Sequence, residues 1–123
     1  MKTELILNYL REEGFCPKAA GDIITFKYQG MHLIVNGNSE DEGFLQIILP
    51  NIYDITGENK AEALEAANSV NRKIKVAKII IFNDSAHVHF EILLDTTPDL
   101  SDIIPRALNI LQLARSEFYD ALN

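Results

Sequence analysis

The residues best suited to chemistry stand in "HVHFE", where His87, His89 and Glu91 alternate with Val88, Phe90 and Ile92. Successive side chains of an extended strand point to opposite faces, so the two histidines and the carboxylate share one face, neighbours lying about 6.5 to 7 Å apart along the backbone. An H-x-H pair of this kind chelates zinc when a carboxylate or another histidine completes the set. His32 is the one other histidine, and no C-x-x-C or H-E-x-x-H pattern completes a familiar zinc arrangement. The plainer reading is the wetter face of a half-exposed strand. A small metal-binding protein or metal-dependent enzyme using His87, His89 and Glu91 is kept as the alternative, and no cofactor is expected.

The other polar groups read as structural. Cys16, in "GFCPK", has no histidine near it in sequence and is expected to be a buried or half-buried small hydrophobe rather than a nucleophile. Glu40, Asp41 and Glu42 lack the alternating spacing of a calcium loop and are expected to be a solvated turn. Arg72, Lys73, Lys75 and Lys78 follow a helix, whose C-terminal end favours cations; a basic patch for an acidic partner is the second reading. Asn68 and Asn71 sit three apart on the same helix, although asparagine is a modest helix former. They are expected to act as a structural joint, their amides satisfying backbone groups of neighbouring segments.

The elements that position these groups follow from periodicity and turn chemistry. Leu5, Ile6, Tyr9 and Leu10 make a helical stripe over 3–13, with Gly14 at the left-handed position beyond the helix and Phe15 packing back. Strands are expected over 23–28 and 31–36, joined by Gln29-Gly30, with a third over 44–49 that Pro50 closes. Asn59 and Glu62 imitate a capping box before a second helix carrying Ala63, Ala66, Ala67, Val70 and Ile74 on one side. Strands over 76–82 and 86–94 flank the turn "NDS", and a last helix runs over about 101–122, regular from near Ile104 because Pro105 suits only a first turn. The order α-β-β-β-α-β-β-α with hairpin links implies an α+β domain spanning 1–123, an antiparallel five-stranded sheet flanked by helices.

The last helix is apolar over more than half its circumference. Ile104, Leu108, Leu111 and Phe118 form one stripe, and Ile103, Ala107, Ile110, Ala114 and Ala121 form the next. A single sheet does not need that width, so the first stripe is expected to join two copies of the chain as a homodimer.

Composition narrows the function classes. Hydrophobic content of 47% and charged content of 24% are those of an ordinary globular domain. The formal charge of −7 repels phosphate backbones and anionic lipid surfaces, so neither nucleic acid nor membrane is an expected partner. The first residues, "MKTELILNYLREE", do not form the continuous apolar core of a signal peptide, and a single cysteine suits a reducing compartment, so the expected location is the cytoplasm.

The segment "AANSVNRKIKVAKIIIFNDSAHVHFEILLD", residues 66–95, with its N-x-x-N helix end, basic link and hairpin into the last helix, resembles the YbjN-like family, a group of proposed bacterial sensory transduction regulators. The element order is similar to that of type III secretion chaperones. The resemblance implies a non-catalytic homodimer that holds another polypeptide, or a regulator of unknown pathway, and it brings no catalytic residues with it. The expectation is therefore a protein-interaction module, chaperone-like or regulatory, and not an enzyme.

Overall fold

The computed structural model describes residues 2–37 and 43–122; the Glu40, Asp41 and Glu42 turn lies outside them. The element order is α1 (Lys2–Glu12), β1 (Lys18–Ala20), β2 (Ile23–Tyr28), β3 (Met31–Asn36), β4 (Phe44–Asp54), α2 (Lys60–Lys73), β5 (Ala77–Phe82), β6 (Ser85–Leu93) and α3 (Leu100–Ala121). All strand pairings are antiparallel, and the sheet order is β1-β2-β3-β4-β6-β5.

The sheet therefore has six strands, not the five expected. Lys18–Ala20 is too short and too weakly patterned to read as a strand. It pairs with β2 because the two-residue turn Gly21-Asp22, with Gly21 at φ +61°, sets Ala20 opposite Ile23. Two other hairpins use the same device: Gln29 and Gly30 have φ of 47° and 79°, and Asn83 and Asp84 have φ of 52° and 60°. Ser85, expected in the second of these turns, begins β6 instead.

Strand β4 is longer than its sequence suggests. It runs through Pro50 to Asp54, and its register against β6 shifts between Leu49 and Tyr53. Proline has no amide to give a ladder but fits an irregular stretch, so Pro50 marks a bulge rather than an end. Asn51, at φ +56°, makes the kink.

Helix α1 ends as its glycine implies. The Gly14 amide donates to Arg11 O and the Phe15 amide to Leu10 O, both at 3.0 Å, with Gly14 at φ +81°. Phe15 then packs on Phe26 and Tyr28, ring centroids 5.6 and 5.5 Å away. The expected capping box at α2 is absent. Asn59 occupies the cap position, yet its Oδ1 accepts from the Thr56 amide and its Nδ2 donates to Asp54 O, ordering the preceding loop instead. Helix α3 starts at Leu100, where Asp99 accepts from the Ser101 amide, so Pro105 lies in its second turn.

The three helices cover one face of the sheet. Ile24, Phe26, Leu33, Val35, Leu45, Ile47, Val88 and Phe90 point into that layer and are buried, together with Ile6 and Leu10 of α1 and Ala63, Ala66 and Val70 of α2. Ile104, Leu108, Leu111 and Phe118 are at most 2% exposed. They are consumed by this chain's own core, which corrects their assignment to a dimer interface. The breadth of the apolar stripe has the same cause: α3 packs against α2 and α1 as well as the sheet, so three surfaces of one chain cover it.

Candidate functional site: the open face of the sheet

Among the described residues the opposite face carries no helix. By register, Lys18, Thr25, Ile34, Ile48, His89 and Lys78 form one row across all six strands, and Asn36, Gln46 and Glu91 stand side by side in the next. Lys27 pairs with His32, and Ile80 with His87. Ile34, Ile48 and Ile80 are half-buried although no other layer of the described residues lies over them. Leu93 and Phe82, at 79% and 63% exposed, mark two extremities of this face.

The polar side chains of the face are tied to one another. Asn36 Nδ2 donates to Gln46 Oε1 at 3.2 Å, and Gln46 Nε2 donates to Glu91 Oε2 at 2.6 Å. Lys78 Nζ closes the series on Glu91 Oε1 at 2.7 Å. The ladder thus crosses β3, β4, β6 and β5. The hydrogen bond from Lys78, joined by that from Gln46, holds the Glu91 carboxyl below the usual carboxylate range despite partial burial. An anion so held is a poor proton acceptor near neutral pH.

His89 is shifted the other way from a free imidazolium. Burial lowers its pKa, Lys78 and His87 add to the effect, and Glu91 opposes it without prevailing. Its Nδ1 lies 3.4 Å from Gln46 Nε2 and 3.9 Å from Glu91 Oε2, so the neutral ring belongs to the ladder rather than to a salt bridge.

His87 has a different task. It stands opposite the extra residues of the β4 bulge, where its Nδ1 accepts from the Asn51 amide at 3.1 Å and its Nε2 meets Phe82 O at 3.0 Å. A neutral ring protonated on Nε2 satisfies both contacts, which leaves neither nitrogen free for a metal. With Glu91 also engaged, the trio does not form a chelating set. No group of three or more His, Cys, Asp or Glu side chains able to hold a metal occurs among the described residues.

The two asparagines separate. Asn71 lies at the last turn of α2, beside β5, which is an edge of the sheet. Its Oδ1 accepts from the Ile79 amide at 2.7 Å and its Nδ2 donates to Ile79 O at 3.1 Å. One side-chain amide therefore stands in for the missing neighbouring strand at the middle of β5 and blocks that edge to pairing. Asn68 is exposed and makes no side-chain hydrogen bond to a described residue.

Cys16 is exposed at φ +50°, contrary to expectation, because the chain turns outward there before entering the edge strand β1. Of the basic cluster, Lys73 pairs with Glu117 at 2.6 Å and Lys78 with Glu91, while Arg72 and Lys75 are exposed. At the β1 end of the open face lies a shallow depression of about 630 Å³, lined in part by Cys16, Lys18, Lys27, His32 and Ile34. Sequence reasoning singled out neither this depression nor Gln46 and Asn36. Their signal was a polar residue at an alternate position inside the apolar runs "FLQIIL" and "HLIVN".

This arrangement of three helices on one face of an antiparallel sheet has solved counterparts. The chain superimposes on the crystal structure of YbjN from E. coli, described as "a putative transcription regulator", with a TM-score of 0.70 over 96% of this chain and 89% of that one, at 6% identity. The fold is YbjN-like. An uncharacterised protein from Methanothermobacter thermautotrophicus shares it, with a TM-score of 0.65, 15% identity, and 99% and 96% of the two chains covered. No family model matches the sequence, and no curated protein matches it. Neither counterpart of the YbjN-like fold is described as an enzyme. Among the described residues no helix is long and apolar enough to cross a membrane.

Proposed function

We propose that the chain is a non-catalytic protein-interaction module, chaperone-like or regulatory, that receives another polypeptide on the open face of its sheet. The observation carrying this reading is that face itself: a six-stranded surface without a second layer, with Ile34, Ile48 and Ile80 half-buried among polar groups already tied in place. A rigid surface loses little freedom on binding, which favours association. The fold shared with a protein described as a regulator agrees with this reading. So does the engagement of Glu91 and His87 in structural contacts. A cytoplasmic setting belongs to the proposal, as does a homodimer, for which the helical layer offers Leu64 and Leu113 at its surface in place of the buried α3 stripe.

The test compares affinity capture from a lysate of the source cell by wild type, Ile48→Asp and Leu113→Asp, with native mass spectrometry of the eluates to count subunits. A polypeptide captured by wild type and Leu113→Asp but reduced at least about tenfold by Ile48→Asp supports the reading. Capture lost through Leu113→Asp and kept by Ile48→Asp places binding on the helices and rejects it.

A further inference from the structure

We infer that the open face takes an acidic, extended polypeptide segment whose sheet-facing alternate side chains are apolar where they meet Ile34 and Ile48 and carboxylates where they reach the depression at the β1 end. The inference rests on the open-face reading above and adds the chemistry of the partner.

Charge is the first argument. The chain carries a net charge of −7. Yet among the described residues the strand positions of the open face hold Lys18, Lys27 and Lys78 against two acids, Glu91, which Lys78 already pairs, and Asp54, which stands opposite Ser85 near the end of β4. Lys18 and Lys27 have no ion-pair partner among the described residues, and both line the depression with His32. The acids of the helices, such as Glu4, Glu62, Glu65 and Asp102, lie on the opposite layer. An acidic segment is thus repelled by the rest of the molecule and attracted here, so the field selects where it lands as well as what lands.

Spacing is the second. Strands lie about 4.8 Å apart, so six strands span about 24 Å, a distance that about eight extended residues cross. Only alternate side chains of such a segment face the sheet, and successive members of that one set reach Ile34 and Ile48 with apolar groups and Lys18 and Lys27 with carboxylates. The alternatives fit less well. Two open faces related by a two-fold axis bring lysine-rich surfaces together, and docking the face on the acidic helices of another copy is a head-to-tail contact that runs on into open chains. A phosphate backbone carries denser charge against the molecule's net −7 and supplies no apolar groups for the isoleucines.

The test titrates the intact chain in low salt with three labelled probes of similar length: a Glu-Val peptide whose alternate positions carry Glu toward one end and Val toward the other with Ser between them, a Lys-Val peptide with Lys in place of each Glu, and oligodeoxythymidine. Anisotropy gives affinity, and backbone amide shifts locate the site. The expected result is that the Glu-Val peptide binds at least about tenfold more tightly than the others and moves amides of β2, β3 and β4. Lys27→Glu then weakens it about tenfold, while Lys60→Glu on α2 leaves it within about twofold. Tighter binding of the Lys-Val peptide or the oligonucleotide at the same amides overturns the acidic assignment while leaving the open-face reading standing. Shifts confined to the helices overturn both, and no binding of any probe overturns the inference.

Discussion

Strand β4 places Ile47 and Ile48 side by side in sequence and on opposite faces of one sheet. On Ile47's side the helices cover the sheet and Ile24, Phe26, Leu33, Val35, Leu45, Ile47, Val88 and Phe90 are buried; on Ile48's side the strands carry lysines, histidines and a hydrogen-bonded ladder. The same backbone register serves two purposes. Buried area on the helical side stabilises the fold, because each fully buried aliphatic or aromatic side chain contributes about 1.5–3 kcal/mol. The open side adds little apolar burial, and its polar groups mainly fix one another's positions.

That contrast predicts the ranking of mutational effects. Phe118→Ala empties a fully buried ring site on the helical side and is expected to cost about 3–5 kcal/mol in a urea unfolding experiment. Asn71→Ala comes next, at about 1–3 kcal/mol, because it orphans both backbone groups of Ile79, whereas Asn68→Ala is expected within about 0.5 kcal/mol of wild type. Equal losses for the two asparagine variants would remove the edge-blocking account.

Titration of the open face is a smaller effect. The folded state lowers the pKa of His89 from its ordinary 6.5, so it favours the neutral ring. The corresponding stability is whole above the ordinary value and is lost as pH falls below it, levelling off once the folded group is also protonated. Glu91, also lowered, contributes stability above its ordinary 4.5 that is lost at more acidic pH, as its folded carboxyl takes up a proton. Melting curves from pH 8 to 5 are expected to decline less for His89→Gln than for wild type. Smallest of all, zinc is expected to leave the melting temperature unchanged, since His87 uses both ring nitrogens within the chain. A zinc-dependent rise abolished by His87→Ala would restore the metal reading.

Legibility in the sequence followed how local the cause was. Gly14 with Phe15, Gln29-Gly30 and the apolar alternation of β2, β3, β5 and β6 act within a few residues, and each was readable. The α+β class followed from them. Strand β1 was not readable, because three residues carry no period and its pairing depends on the Gly21-Asp22 turn. Pro50 read as a stop because proline breaks a ladder, but a bulge held by a histidine 36 residues away accommodates it. For α3 the sequence displayed the width of the apolar surface and not its neighbours, so intramolecular cover by α1 and α2 looked like a second subunit's. At the candidate site, the shared face of His87, His89 and Glu91 was legible, and their partners Asn36, Gln46, Asn51 and Lys78 were hidden in cross-strand register.

The most direct test of the two-face account is a thermal melt of the matched variants Ile47→Asp and Ile48→Asp, followed by circular dichroism. The account predicts that Ile47→Asp abolishes the cooperative transition, since it buries an unpaired charge. It predicts that Ile48→Asp melts within about 8 °C of wild type, a loss of the order of 1 kcal/mol. Comparable collapse of both variants would contradict it, and would mean that the open face is itself covered in the folded protein.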